Sequence, residues 1–175
     1  MGEGEVQFIT VGAGARERHI AYSHAPAPGN GAPGIVWLIG LRSDMASTKA
    51  TALAEWAPGR GFGLTRFEYS GHGRSSGDLM TATIGDWLEE TLAVFDRVTD
   101  GPQILVGSST GGYLALLALR ALQHRDGAGA DRVRGLVLIA PAWDLTEDLM
   151  WAEMDAATRA ELRDAGVIHR PSEYG

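Results

Sequence analysis

Ile35-Val36-Trp37-Leu38-Ile39 is an unbroken apolar run between Gly34 and Gly40. A strand apolar at every position is covered on both faces, which is the condition of a parallel sheet layered between helices. The chain that follows keeps to that plan. Ser47 to Ala57 puts Ala50, Leu53, Ala54 and Ala57 on one helical face and stops at Pro58-Gly59. Phe62 to Tyr69 predicts the next strand, Gly71 to Gly77 a glycine-rich loop, and Ile84 to Val98 an amphipathic helix. Gln103 to Val106 is a short apolar strand, Thr110 to Gln123 a helix apolar almost all round, and Val133 to Ile139 a further strand. Alternating strands and helices with short connections predict an α/β fold, a mostly parallel sheet with helices on both faces. Ligands in such sheets bind at strand C-termini, here after Ile39, Tyr69, Val106 and Ile139.

Upstream, Val6 to Val11 and Glu17 to Ser23 form two short strands around a turn at Gly12-Ala13-Gly14. The Pro- and Gly-rich stretch from Ala25 to Gly34 is an internal connection, because too few residues precede it to make a domain. The tail predicts one helix, about Glu147 to Asp164, ended near Gly166 and followed by an irregular stretch. Residues 1–175 are expected to form one domain.

The net charge of −7 comes without a basic stripe, so an electrostatic grip on nucleic acid is not expected. With no cysteine there is neither a disulfide framework nor a thiolate nucleophile. Met1-Gly2-Glu3-Gly4-Glu5 lacks the basic and apolar segments of a secretory signal, and no apolar run approaches a bilayer span; the expected location is cytoplasmic. Gly12-Ala13-Gly14-Ala15-Arg16-Glu17 lacks the third glycine and the helix of a dinucleotide loop. No metal-ligand or phosphate-loop motif is present, and neither metal nor cofactor is expected.

Chemistry concentrates in Gly107-Ser108-Ser109-Thr110-Gly111, a G-x-S-x-G pattern set between an apolar strand and an apolar helix. A serine on so sharp a strand-to-helix turn is held in a strained backbone conformation, and side chains at Gly107 and Gly111 would collide with the neighbouring strand and helix. The turn lifts the Ser109 hydroxyl clear of the sheet and aims the first helical amides, Thr110 foremost, at a developing oxyanion. A second donor is expected in the loop after Ile39, where Gly40-Leu41 offers the Leu41 amide.

Three segments carry a family likeness: Gly40-Leu41-Arg42-Ser43-Asp44-Met45, the loop from Phe67 to Gly77, and Gly101 to Ser109. They resemble the abhydrolase domain-containing 10 group of α/β-hydrolases and its bacterial relatives. The resemblance runs from about Gly34 to the last residue, with Thr110 and Tyr113 standing where the group tends to have a larger apolar residue and a tryptophan. It implies the α/β-hydrolase fold and a serine hydrolase that cleaves carboxylic esters or thioesters, small-molecule or acyl-protein, through an acyl-Ser109 intermediate. It also implies that Pro171-Ser172-Glu173-Tyr174-Gly175 precedes two further strands bearing the triad acid and histidine, so that the chain is a C-terminally truncated hydrolase domain.

Serine needs a base to take its proton. His19 and His24 lie on or just after an early strand, His124 ends the helix after Ser109, and His169 falls in the irregular tail. His72, in a glycine-rich loop after a strand, is the first in-chain candidate, although its loop suits a structural role better. Asp144 follows a strand end and is a candidate triad acid, with beginning a turn or capping the helix start at Thr146-Glu147 the preferred role. Glu89-Glu90 is expected on a solvated helix face. Two readings follow: an acyl-serine hydrolase, or a non-catalytic truncated fragment or binding protein that keeps the elbow without a base. Truncation would leave Val133–Ile139 as an apolar sheet edge prone to self-association.

Overall fold

The computed structural model describes residues 5–28, 31–125 and 128–168. Two compact units divide it, Met1–Ala142 and Trp143–Gly175. The first holds a six-stranded sheet built from β1 (Gln7–Val11), β2 (Arg18–Ala25), β3 (Gly34–Leu38), β4 (Gly63–Phe67), β5 (Gln103–Ser108) and β6 (Val133–Ile139), ordered β1-β2-β4-β3-β5-β6. β1 and β2 pair antiparallel, β2 meets β4 antiparallel, and β4, β3, β5 and β6 run parallel. The sheet is therefore mixed, with its parallel half where apolar strands predict it. Helices α1 (Thr48–Gly59), α2 (Ile84–Val98), α3 (Thr110–Arg125) and α4 (Ala128–Asp131) connect the strands and cover both faces.

Residues 35–39 are all buried, as an apolar run demands, and Leu105, Leu114, Ala115, Ala118 and Leu122 complete the core around β5 and α3. α2 starts at a capping box in which Thr83 Oγ1 accepts from the Asp86 amide and the Asp86 carboxylate accepts from the Thr83 amide. From β3 the chain crosses to β4 on one side, then returns past β3 to β5 on the other. The order reverses at β3, and the crevice outside the C-terminal ends of β3 and β5 is the switch point at which such sheets bind ligands.

Three expectations change. Glu90 is not solvated: it is wholly buried, where its carboxylate accepts from the Ser70 amide at 2.9 Å and lies 2.7 Å from Arg18 Nε. It belongs to the inner face of α2, whose helical spacing it shares with Trp87, Val94 and Phe95. The single tail helix is instead a π-helical segment, Leu145–Trp151, and a separate α5, Ala156–Ala165. Asp155 makes the break: its side chain accepts from the Thr158 amide at 2.7 Å and starts a new helix. Asp144 occupies the N-cap position of the π-helical segment but makes no capping bond with its side chain. Its left-handed backbone (φ 48°) differs from the extended geometry from which a side chain reaches the first amides.

Candidate active site

Ser109 stands alone between β5 and α3 with φ +52°, a left-handed conformation that costs a non-glycine residue on the order of 1 kcal/mol. Backbone bonds from three directions hold it there. Its amide donates to the Ile139 carbonyl at the end of β6 (2.9 Å), and its carbonyl accepts from Gly112 (2.9 Å), Tyr113 (3.2 Å) and Ala142 (3.0 Å). A Cβ on Gly107 would collide with the Gly111 carbonyl, and one on Gly111 with the Leu38 and Ile39 carbonyls of β3. The two outer glycines of the motif thus let α3 start tight against β3 and β5, which lifts Ser109 to the surface with its side chain exposed. Gly112 is tight as well, since its Cβ would come within 2.9 Å of Pro141.

The loop after β3 reaches the same place. A Cβ on Gly40 would lie 3.5 Å from Ser109 Cβ. Gly40 to Ser43 closes a turn in which Ser43 donates to the Gly40 carbonyl at 3.1 Å and Arg42 adopts φ +57°. In a trans peptide the carbonyl and the amide point opposite ways, so drawing the Gly40 carbonyl into the turn turns the Leu41 amide outward. Among the described residues neither the Leu41 nor the Thr110 amide donates to a protein acceptor. Both predicted oxyanion donors are thus unengaged, one directly after Gly40 in the β3 loop and one on the residue after Ser109.

Among the described residues of the first unit, no predicted base is brought to Ser109. His72 is buried, its Nε2 accepting from the Arg42 amide at 3.0 Å and its Nδ1 lying 3.3 Å from the Ser70 carbonyl. Its ring meets Tyr69 and Trp87 edge-on. Burial pushes its pKa below the ordinary value, against the opposing Ser70 carbonyl and Glu68 carboxylate. His19 and His24 lie on β2, with Nδ1 at 3.3 Å from Thr10 Oγ1 and 2.8 Å from Thr65 Oγ1 respectively. His124 sits in the last turn of α3. Asp144 lies in the second unit and His169 outside the described residues. Among the described residues no side chain hydrogen-bonds Ser109 Oγ.

Sequence reasoning missed two buried charges of the β4 end, Arg66 and Glu68. Arg66 Nη1 donates to the Met45 carbonyl at 3.0 Å, and the Glu68 carboxylate accepts from the Met45 amide at 3.0 Å and the Arg74 amide at 2.6 Å. Together they tie the loop after β3 to the loop after β4. Their signal was available: two charges at alternate positions, hence on one side, of a strand otherwise fit for the core.

Comparison with known proteins identifies the family and the fold. The serine aminopeptidase, S33, family model matches residues 38–169, three quarters of the chain. The chain belongs to that α/β-hydrolase family. Within it, the chain is similar to the abhydrolase domain-containing 10 group. Human "Palmitoyl-protein thioesterase ABHD10, mitochondrial" is 37% identical over 142 residues, 81% of this chain and 44% of that protein. A putative hydrolase from Agrobacterium vitis S4 superposes with a TM-score of 0.88 at 42% identity, covering 98% of this chain and 65% of that one. Mouse alpha/beta hydrolase domain-containing protein 10 superposes at 0.79 with 33% identity, over 98% of this chain and 63% of that one. The chain therefore spans less than half the length of the curated relatives it matches. Those relatives carry mitochondrial names, so the expected cytoplasmic location finds no support among them. No described helix is long and apolar enough to cross a membrane.

Proposed function

We propose that this family member is a serine hydrolase acting on carboxylic ester or thioester bonds, with Ser109 as the nucleophile and the Leu41 and Thr110 amides as the oxyanion hole. The observation that carries the reading is an exposed serine held at φ +52° on the β5–α3 turn, with the Thr110 amide following it, the β3 loop approaching at Gly40, and neither the Leu41 nor the Thr110 amide given a protein acceptor among the described residues. Ser109 Oγ attacks the acyl carbonyl carbon, and its proton passes to a base. The former carbonyl oxygen becomes the oxyanion facing the two amides, each worth roughly 2.7–4 kcal/mol in acyl transfer. The C–S or C–O bond then breaks, the thiol or alcohol leaves with the proton, and water hydrolyses the acyl-serine. A palmitoyl-protein thioesterase among the relatives favours acyl thioesters as the substrate class. The base and its acid belong, in this proposal, outside the described residues of a single incomplete hydrolase domain, and free β6 edges of two copies pair with each other.

A second reading, a binding protein that keeps the elbow without catalysis, is favoured by the lack of any described side chain bonded to Ser109 Oγ. Labelling with a fluorophosphonate separates the two. The hydrolase reading expects slow modification of the Ser109 peptide, accelerated by added imidazole and abolished by Ser109→Ala. No modification with or without imidazole supports the binding protein. Labelling as fast as in a complete serine hydrolase would place a base within this chain.

A further inference from the structure

His72 is buried at 4% exposure in a loop whose conformation needs no imidazole, since glycines at 71 and 73 supply its left-handed turns (φ +76° and +49°). Both ring nitrogens are nonetheless committed to backbone. Nδ1 faces the Ser70 carbonyl at 3.3 Å, and a carbonyl can only accept, so Nδ1 carries the proton. Nε2 is then the bare lone pair, which matches its partner, the Arg42 amide, a donor at 3.0 Å. The ring cannot swing away, because Tyr69 and Trp87 hold it at centroid distances of 5.9 and 5.2 Å, and Trp87 Nε1 donates to the same Ser70 carbonyl at 3.1 Å.

Arg42 is the left-handed third residue of the Gly40–Ser43 turn. A non-glycine residue there is strained, and strain persists only where surrounding bonds over-determine it. The His72 lone pair is one of those bonds, and it fixes the Leu41–Arg42 peptide plane. The Ser43-to-Gly40 bond fixes the preceding Gly40–Leu41 plane, which carries the outward Leu41 amide one residue after Gly40, where an added Cβ would lie 3.5 Å from Ser109 Cβ. With both planes set, the direction of the Leu41 amide is set as well.

We infer that His72 is a positioning residue for the oxyanion hole: its unprotonated Nε2 anchors the Arg42 amide and thereby aims the Leu41 amide beside Ser109. The inference rests on the proposed hydrolase reading for its consequence, though not for its geometry. His72 acts through backbone and exchanges no proton with Ser109. The charged group acting on it is the Glu68 carboxylate, which itself accepts from the Met45 amide of the loop after β3 and the Arg74 amide of the loop after β4.

Nuclear magnetic resonance on the whole 175-residue chain tests the anchor directly, compared between wild type, His72→Leu and His72→Gln, whose side-chain oxygen can reach the Nε2 position. In wild type the imidazole is expected as the Nδ1-protonated tautomer, and the Arg42 amide proton shift is expected to titrate with the same midpoint as the ring. His72→Leu should release the Arg42 amide to hydrogen exchange at least tenfold faster while β5 and β6 amides keep their protection, and His72→Gln should restore it. Fluorophosphonate labelling of Ser109, run with saturating imidazole on the same samples, is expected to fall about tenfold to a hundredfold in His72→Leu and to recover in His72→Gln. An Nε2-protonated tautomer, or an Arg42 shift that ignores ring titration, overturns the inference even if His72→Leu fails to fold. So does unchanged Ser109 labelling in a folded His72→Leu. Absence of labelling in every sample, with the Arg42 titration intact, would instead sink the hydrolase reading and leave the anchor standing.

Discussion

Ser109 has a hydroxyl at a position where the backbone would favour glycine. Replacing it with glycine removes both the oxygen and the left-handed penalty, so Ser109→Gly is expected to abolish fluorophosphonate labelling while raising stability by about 1 kcal/mol, read as a higher urea midpoint. That pairing of lost chemistry with gained stability separates a site from a structural turn. Gly111 behaves oppositely. Its missing Cβ lets α3 sit against the Leu38 and Ile39 carbonyls, which are backbone and cannot rotate away, so Gly111→Ala should cost about 3 kcal/mol or prevent folding. Both residues were legible in the sequence, because G-x-S-x-G between an apolar strand and helix states a steric requirement as much as a chemical one. Arg42 was not: a left-handed arginine has no local signature, and only the bonds made around it reveal why it is tolerated.

At the scale of elements, the ends of β3 and β4 are coupled by side chains rather than by packing alone. Glu68 accepts from two backbone amides on two loops. Glu68→Gln keeps one acceptor oxygen and replaces the other with a donor, so one buried amide loses its partner, at a cost of about 1–3 kcal/mol. The expected local signature is faster hydrogen exchange at Met45 or Arg74, with β5 unaffected. His72 adds a pH dependence to the same layer. Its folded-state pKa is depressed by burial, so its contribution is present above the ordinary value of 6.5 and is lost as pH falls from there through the lowered value. A melting temperature that declines over that acid limb in wild type and stays flatter in His72→Gln is the expected outcome. Glu90 runs the other way: burial raises its pKa above 4.5, so its contribution is present below 4.5 and is lost as pH rises through the raised value. The helices and strands themselves followed the hydrophobic period closely, with Ile84–Val98 and Val133–Ile139 predicted to the residue. The tail did not, because its periodicity is weak and the Asp155 cap divides what composition alone leaves continuous.

For the molecule as a whole, β6 is an edge strand bonded, among the described residues, only to β5, with Val137 at 48% and Ile139 at 36% exposure. An unpaired edge with apolar side chains is a template for another strand. Self-association of the chain at micromolar concentration is expected, and Val137→Lys should shift sedimentation toward the monomer; a wild-type monomer at all concentrations would refute edge pairing. The sequence by itself determined the α/β class, the βαβ alternation and the Ser109 elbow, since each depends on short-range spacing: apolar runs that must be covered and glycines that a tight turn requires. Only the tertiary structure decided that β3 and β5 are neighbours at the point where strand order reverses, and that His72 turns from Ser109 to the Arg42 amide. It also decided that Glu68, Arg66 and Glu90 are buried against backbone and Arg18. Those facts depend on which distant segments meet, and a hydrogen bond between residues 30 apart, such as Arg42 to His72, leaves no periodic trace in the chain that makes it.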